Sequence, residues 1–233
     1  MSKIVHPYAH RLGILRDWRH RWFTMGPKYQ ENLRADILLR EYLMKELRGM
    51  YVGGLEIERN EKTLRIIIKT SRPGVIVGRS GDGSKRLHGK IVAFLNKRGV
   101  TVPEVKLDIE EIRSPESNAA IVAYMVAEGL EKRLAFRRVL KQTIEKVMAN
   151  RDVKGVRIAL SGMLGGGSMS RKEELKRGRI PLQTLRSDID YARERANLPL
   201  GVIGIKVWIY RGDVFADAKG KESTQGRSGS ERK

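Results

Sequence analysis

Hydrophobic residues recur along this chain with two periods, and each change of period marks a new element. Leu33, Ile37, Leu43 and Leu47 fall at helical intervals among Arg34, Glu41 and Lys45, which predicts an amphipathic helix over 29–48 that ends at Gly49 and the Gly53-Gly54 pair. Leu55-Glu56-Ile57-Glu58 and Leu64-Arg65-Ile66-Ile67-Ile68 then read as two strands, joined in a hairpin around Asn60-Glu61. A breaker from Thr70 to Pro73 leads into Val75-Ile76-Val77 and a glycine-spaced turn. A helix opens near Asp82 and carries Leu87, Ile91, Val92 and Leu95. Val105-Lys106-Leu107-Asp108-Ile109 alternates apolar and polar residues, so it is a third strand with one solvated face.

Ser114-Pro115-Glu116-Ser117 marks a boundary, because proline at the first helical position behind a serine cap starts a helix. The alanine-rich segment that follows runs to Glu131. A second helix, from about Phe136 to Asn150, turns Val139, Leu140, Ile144, Val147 and Met148 inward. Val156 to Leu160 and Ile203 to Ile209 alternate as strands, and Pro181 to Tyr191 is expected to be a strand of poorer pattern. Between them lie a flexible turn, Ser161 to Gly167, and a basic run holding Arg171, Lys172, Lys176, Arg177 and Arg179.

The expected fold class is therefore α+β. A basic and aromatic extension (1–28) precedes a first domain (29–113) and a second two-layer domain (114–212) of two helices on a roughly four-stranded sheet. The tail, 213–233, has little apolar content after Phe215 and is expected to be disordered.

Charge changes the picture. The 233 residues hold 47 Lys+Arg against 27 Asp+Glu, a formal charge of +20. Such a charge attracts polyanions and resists self-association, which puts nucleic acid first among partners and an anionic membrane second. Cysteine is absent, which removes disulfides and thiolate metal sites. No run approaches the roughly 18 apolar residues of a membrane span, and the N-terminus has no apolar signal core. A cytoplasmic location is expected.

The glycine-spaced turn is the sharpest candidate for chemistry. From Gly78 the chain reads Gly-Arg-Ser-Gly-Asp-Gly-Ser-Lys, close to the nucleotide-triphosphate loop except that Ser84 and Lys85 are transposed. That loop needs lysine directly after its second glycine and a hydroxyl beside it for magnesium. The other reading is the G-x-x-G clamp, Gly78-Arg79-Ser80-Gly81, by which KH domains hold the backbone of four nucleotides. Helix, two strands, loop-bearing helical pair and strand make up the order of a type II KH domain. A glycine turn without a ligand is the bland alternative.

Elsewhere, Arg11 and the cluster Trp18, Arg19, Arg21 and Trp22 are candidates for stacking on bases while their charges meet phosphate. Trp18 and Trp22, four residues apart, could equally pack against a core. Arg137 and Lys141 share a helical face one turn apart. His6 and His10 have helical spacing, but Pro7 separates them and no third ligand accompanies them; no metal site is indicated.

Five separated blocks resemble a known family. They are His6-Pro7 with Arg11-Leu12-Gly13-Ile14 and Trp22-Phe23; Asn32-Leu33-Arg34; Gly78 to Gly81; Ser161-Gly162-Met163-Leu164-Gly165-Gly166; and Gly178 to Leu182 through Asp188-Ile189-Asp190-Tyr191 to Gly201–Ile209. In order and over nearly the whole chain, they resemble the bacterial-type small-subunit ribosomal proteins numbered third, KH-domain proteins of the subunit head. The resemblance implies binding to small-subunit ribosomal RNA, a place lining the path of incoming messenger RNA, and contacts with neighbouring head proteins. It implies that Arg137, Arg138 and Lys141 face the message and help open its secondary structure. Neither catalysis nor a cofactor is implied. A free KH-type regulator of messenger RNA is the alternative, and a nucleotide-hydrolysing enzyme is a more distant one. Two departures stand out: Gly83 and Ser84 weaken the expected helix start after the clamp, and Met163 replaces an arginine often found after the Ser-Gly pair.

Overall fold

A computed structural model describes residues 5–60, 62–98, 104–199 and 201–214. The expected turn residue Glu61 and the tail from 215 onward lie outside the described residues. The described chain builds two four-stranded sheets, each with helices on one face.

In the first unit, α2 (Pro27–Glu46) is followed by strands β2 (Val52–Arg59) and β3 (Thr63–Thr70). The one-turn helix α3 (Pro73–Val77), helix α4 (Asp82–Lys97) and β4 (Glu104–Glu111) complete it. β2 and β3 pair antiparallel as a hairpin, whereas β3 and β4 are parallel. Parallel neighbours need a crossover, and α3 with α4 supplies it. Alternation sends Leu55, Ile57, Leu64, Ile66 and Ile68 to one face, against Leu87, Ile91 and Leu95 of α4 and Leu39 and Leu43 of α2. The element order is the one that the periodicity predicts.

The face of α2 follows the prediction only toward its C-terminal end, where Leu43 and Leu47 are buried. Leu33 and Ile37 are 40% and 50% exposed, while Ala35, Asp36, Leu39 and Leu43 are buried. A buried carboxylate is what turns the helix: Asp36 accepts hydrogen bonds from Trp22 Nε1 (2.7 Å) and Arg59 (2.6 Å), so this face goes inward.

The second unit holds α5 (Ala119–Glu131) and α6 (Phe136–Ala149) with strands β5 (Gly155–Gly162), β6 (Arg171–Gly178), β7 (Ser187–Leu198) and β8 (Gly201–Asp213), in sheet order β6-β5-β8-β7. Its core joins Val156, Ile158, Leu160, Ile203, Ile205 and Val207 to Val122, Val126, Leu140 and Ile144. Two expectations are corrected. The basic run is itself an edge strand, β6, with Leu175 as its one core side chain. Residues 181–186 form a turn, and the strand begins at Ser187 and runs on to Leu198.

The start of α5 is also displaced. Ser114 makes no cap; Pro115–Ser117 is a single 3-10 turn, and Asn118 caps Ala120 and Ile121. Asp190 of β7 accepts from the N–H of Ala119 (2.8 Å) and so adds a carboxylate to the Asn118 cap at that terminus.

The N-terminal segment is a strap across both units. His6 caps α1 (Pro7–His10) and its ring meets Tyr191 edge-on. Farther along, β1 (His20–Arg21) adds a parallel edge to β2.

Candidate nucleic-acid interface

Four regions carry the residues singled out from the sequence, and the structure treats them differently. The glycine loop is the first. Proline at the start of α3 and Gly78 at its end limit that helix to five residues. Gly78 has φ 70° and ψ −173°, a conformation open essentially to glycine alone. Ser80 and Gly81 follow in the left-handed region, and α4 opens at once. Gly78, Arg79 and Ser80 are exposed, with Lys85 and Arg86 on the first turns of α4. Among the described residues no carboxylate lies within 4.0 Å of Arg79, Lys85 or Arg86. The main chain and unpaired cations thus face solvent together, above the N-terminus of a 16-residue helix.

Gly83 acquires a role the sequence hid. A Cβ there would stand 2.4 Å from the carbonyl oxygen of Ile76, so only glycine lets α4 pack this close to α3. Ser84 Oγ donates to the Gly81 carbonyl (2.8 Å) and fixes the loop's exit. The departures from the family pattern therefore tighten this turn.

The second region is the N-terminal end of α6. Val139, Leu140, Ile144 and Val147 are buried, leaving Arg137, Arg138 and Lys141 exposed. Arg137 reaches Glu173 of β6 (3.1 Å), which raises its affinity for its proton and holds the Glu173 carboxyl below its usual range. Arg138 and Lys141 have no such partner among the described residues. The Ser161–Gly167 turn closes on the same corner. Gly165 sits beside the Phe136 ring, and Arg171 donates to the carbonyl of Leu164 (3.2 Å). Arg137, Arg138, Lys141 and Arg171 therefore share one corner of the second unit.

The third region is the rest of β6. Cross-strand register puts Arg171, Glu173, Leu175 and Arg177 on the helix side and Lys172, Glu174 and Lys176 on the outer side. Lys172 lies 3.5 Å from Glu174, whereas Lys176, Arg177 and Arg179 have no carboxylate partner among the described residues.

The fourth region, the N-terminal cluster, is largely structural. Arg11 is fully buried, and its guanidinium donates to the carbonyls of Pro7, Ser187, Leu182 and Thr184. A guanidinium buried among carbonyls in this way cannot reach RNA, and its assignment as an RNA contact is withdrawn. Trp22 is half-buried, tilted against Tyr29, with its N–H on Asp36. Arg21 pairs with Glu56 and Glu58, and Arg19 lies over the Tyr8 ring. Trp18, 62% exposed, keeps a face available for stacking.

Sequence reasoning placed Asp188 and Asp190 in a family block but missed what they hold together. Asp188 pairs with Arg16 (2.7 Å), and Asp190 pairs with Arg211 (3.2 Å) besides holding α5. The Asp188-Ile189-Asp190 spacing was the available signal: a strand with acids at i and i+2 on a chain of net positive charge.

Comparison with known proteins agrees with this fold. A family model described as a KH domain matches residues 38–117, and one described as the ribosomal protein S3 C-terminal domain matches 126–209. The small ribosomal subunit protein uS3 of Alcanivorax borkumensis is 42% identical over 229 residues, 98% of this chain and 96% of that protein. Those of Clostridium novyi and Idiomarina loihiensis are 39% identical (94% of this chain, 96% of that protein) and 37% identical (100% of each). The chain belongs to the uS3 family. As a uS3 protein it is a structural ribosomal component and not an enzyme. No helix among the described residues is long and apolar enough to cross a membrane.

Proposed function

We propose that this uS3 protein binds small-subunit ribosomal RNA in the subunit head and lines the entrance for messenger RNA, beside neighbouring head proteins of the cytoplasmic ribosome. At that entrance Arg138 and Lys141, with Arg137 and Arg171 next to them, hold phosphates of the incoming strand. The glycine loop Gly78–Gly81 is the second grip, on a nucleic-acid backbone. No nucleotide is hydrolysed; translocation supplies the work, and the cations stabilise strands once separated.

One observation carries the reading. The first turns of α6 expose cations that lack carboxylate partners, on a helix whose opposite side is locked into the core. Charge left unpaired on a rigid element suits a polyanion that passes by.

The test is translation by ribosomes carrying Arg137→Ala, Arg138→Ala and Lys141→Ala together. Elongation through a stable message hairpin should slow several-fold, with little change on an unstructured message. Equal rates on the two messages would refute the entrance assignment. Because Arg137 already shares its charge with Glu173, Arg138→Ala with Lys141→Ala should reproduce most of the effect.

A further inference from the structure

Each sheet of this protein has an outer face, opposite α2 and α4 in the first unit and opposite α5 and α6 in the second, and the two faces handle charge in opposite ways. On the first sheet the cations are cancelled strand by strand. Arg21 meets Glu56 and Glu58, Arg65 meets Glu58 and Asp108, and Lys69 meets Glu56 and Glu110. Four such carboxylates on one face would repel a phosphate backbone as strongly as the cations attract it.

The second sheet does the reverse. Register places Lys172, Ser161, Gly204 and Arg195 side by side in one row across β6, β5, β8 and β7. Glu174, Ala159, Lys206 and Arg193 form the next row. Glu174 is engaged by Arg157 (2.6 Å) and by Lys172 (3.5 Å). Among the described residues Arg193, Arg195 and Lys206 have no carboxylate within 4.0 Å, and all three are exposed. The lower end of this face is occupied: Ile180 and Leu182 pack on the cluster of Trp208 and Tyr210 there, and His6, which caps α1, meets the Tyr191 ring beside it. The upper end is open, and its centre is small. Ser161 and Gly204 face each other across β5 and β8, with Ser161 Oγ within 3.4 Å of the Gly204 carbonyl. The result is a floor about 14 Å wide, three interstrand spacings, rimmed by Lys172 on one side and by Arg193 and Arg195 on the other.

We propose that this upper outer face is an RNA-backbone site, held by Arg193, Arg195 and Lys206 and separate from both the glycine loop and the α6 corner. A floor whose centre is built from Ser161, Gly204 and Ala159 lets a sugar-phosphate strand lie against the sheet, and Lys206 beside that centre, with Arg193 and Arg195 at the rim, meets the phosphates. Recognition of this kind follows backbone shape and charge, not base sequence. The assignment rests on the RNA-binding reading of the chain but not on the entrance role of α6.

The experiment measures binding of the full chain to purified small-subunit ribosomal RNA across a potassium chloride series. Wild type is compared with Arg193→Gln, Arg195→Gln, Lys206→Gln combined, and with a charge-matched control, Lys28→Gln, Arg34→Gln, Lys45→Gln on α2. Each phosphate contact contributes about 0.7 to 0.9 to the slope of log affinity against log salt, so losing three should lower the slope by about 2. The control should leave the slope near that of wild type. Equal losses in both variants would show a response to net charge alone and overturn the proposal; an unchanged slope in the sheet variant would overturn it as well. Unchanged RNA binding combined with loss of the sheet variant from gradient-purified subunits would assign the face to an acidic protein neighbour instead. Wild-type chain without salt-dependent binding would sink the RNA reading as a whole, a result distinguishable from all of these. The substituted side chains are exposed, and matching thermal melts would establish that each variant folds.

Discussion

Asp36 is the residue on which the first unit turns. It is 2% exposed, and a carboxylate taken that far from water is tolerable only when its charge and lone pairs are met. Burial alone raises its pKa, but hydrogen bonds from His20, Arg59 and Trp22, with the charge of Arg59, outweigh that and hold the carboxyl below its ordinary 3.8. A depressed folded value means that the group stabilises the fold above the unfolded pKa and loses that contribution as pH falls through the folded value. Asp36→Asn leaves the Arg59 guanidinium, whose side chain is 7% exposed, without its counter-charge. Breaking a buried pair in this way should cost about 3 kcal/mol. In urea unfolding at neutral pH the variant should show that deficit, and the gap from wild type should shrink as pH drops below 3.8. A pH-independent gap would mean that the carboxylate's charge contributes nothing. Nothing in the sequence distinguishes Asp36 from any surface acid, and Arg11 reads as one more cation of a basic protein. Composition gives charge, while burial depends on which carbonyls the tertiary fold brings near.

At the scale of elements, what could be read was what repeats with a clean period. β2, β3, β5 and β8 place an apolar residue at every second position, facing the core, and α6 keeps one face apolar; each follows from its pattern. β6 carries charge on both faces because it is an edge strand that solvent reaches from either side, so no alternation marked it. The glycine loop was visible as a motif, but its internal packing was not. Gly78 and Gly83 are fixed by close approach, since a Cβ on Gly78 would stand 3.0 Å from the Gly83 nitrogen and one on Gly83 would strike the Ile76 carbonyl. Gly81, at φ 82° and ψ 6°, sits in the left-handed region that aspartate tolerates, with Ser84 Oγ 3.8 Å from an added Cβ. Gly83 in α4 and Gly81 at the end of the clamp should therefore respond differently. Gly83→Ala should destabilise the first unit by about 2 kcal/mol, the cost of overpacking. Gly81→Asp should keep the melting temperature within a few degrees and weaken RNA binding several-fold, because its carboxylate stands where a phosphate would approach. Wild-type RNA affinity in a folded Gly81→Asp protein would remove the loop from the binding surface.

At the scale of the whole molecule, the question is how a loop on one sheet and a basic corner on another keep a fixed relation to a single large RNA. Two sets of contacts join the units. Tyr51 donates to Glu128 and Arg48 pairs with Glu131, which also accepts from the Asn197 N–H. The Glu128 carboxyl is held below its usual range by Lys132 and by Tyr51. The N-terminal strap forms the second set: β1 extends the first sheet, and Arg11 and Arg16 fasten the same segment to the beginning of β7. A segment that looked from its charge like a free RNA-binding arm is thereby a brace, because Arg11, Arg16 and Arg21 are spent on protein carbonyls and carboxylates. Replacing Arg11 with methionine retains the bulk of the side chain and removes every donor. The carbonyls of Ser187, Leu182 and Thr184 then lose a charged partner, a cost of about 2 kcal/mol that falls on the strap and the 181–187 turn. Hydrogen exchange should quicken at least tenfold in peptides covering residues 6–18 and 181–190, while those covering Ile66 and Ile91 in the first core keep their protection. If the strap is a brace, subunits assembled with this variant should also bind it less tightly, although no RNA-facing cation has changed. Uniform loss of protection across both cores would show that Arg11 supports global stability, and unchanged exchange at the strap would show that β1 and Arg16 suffice to hold it.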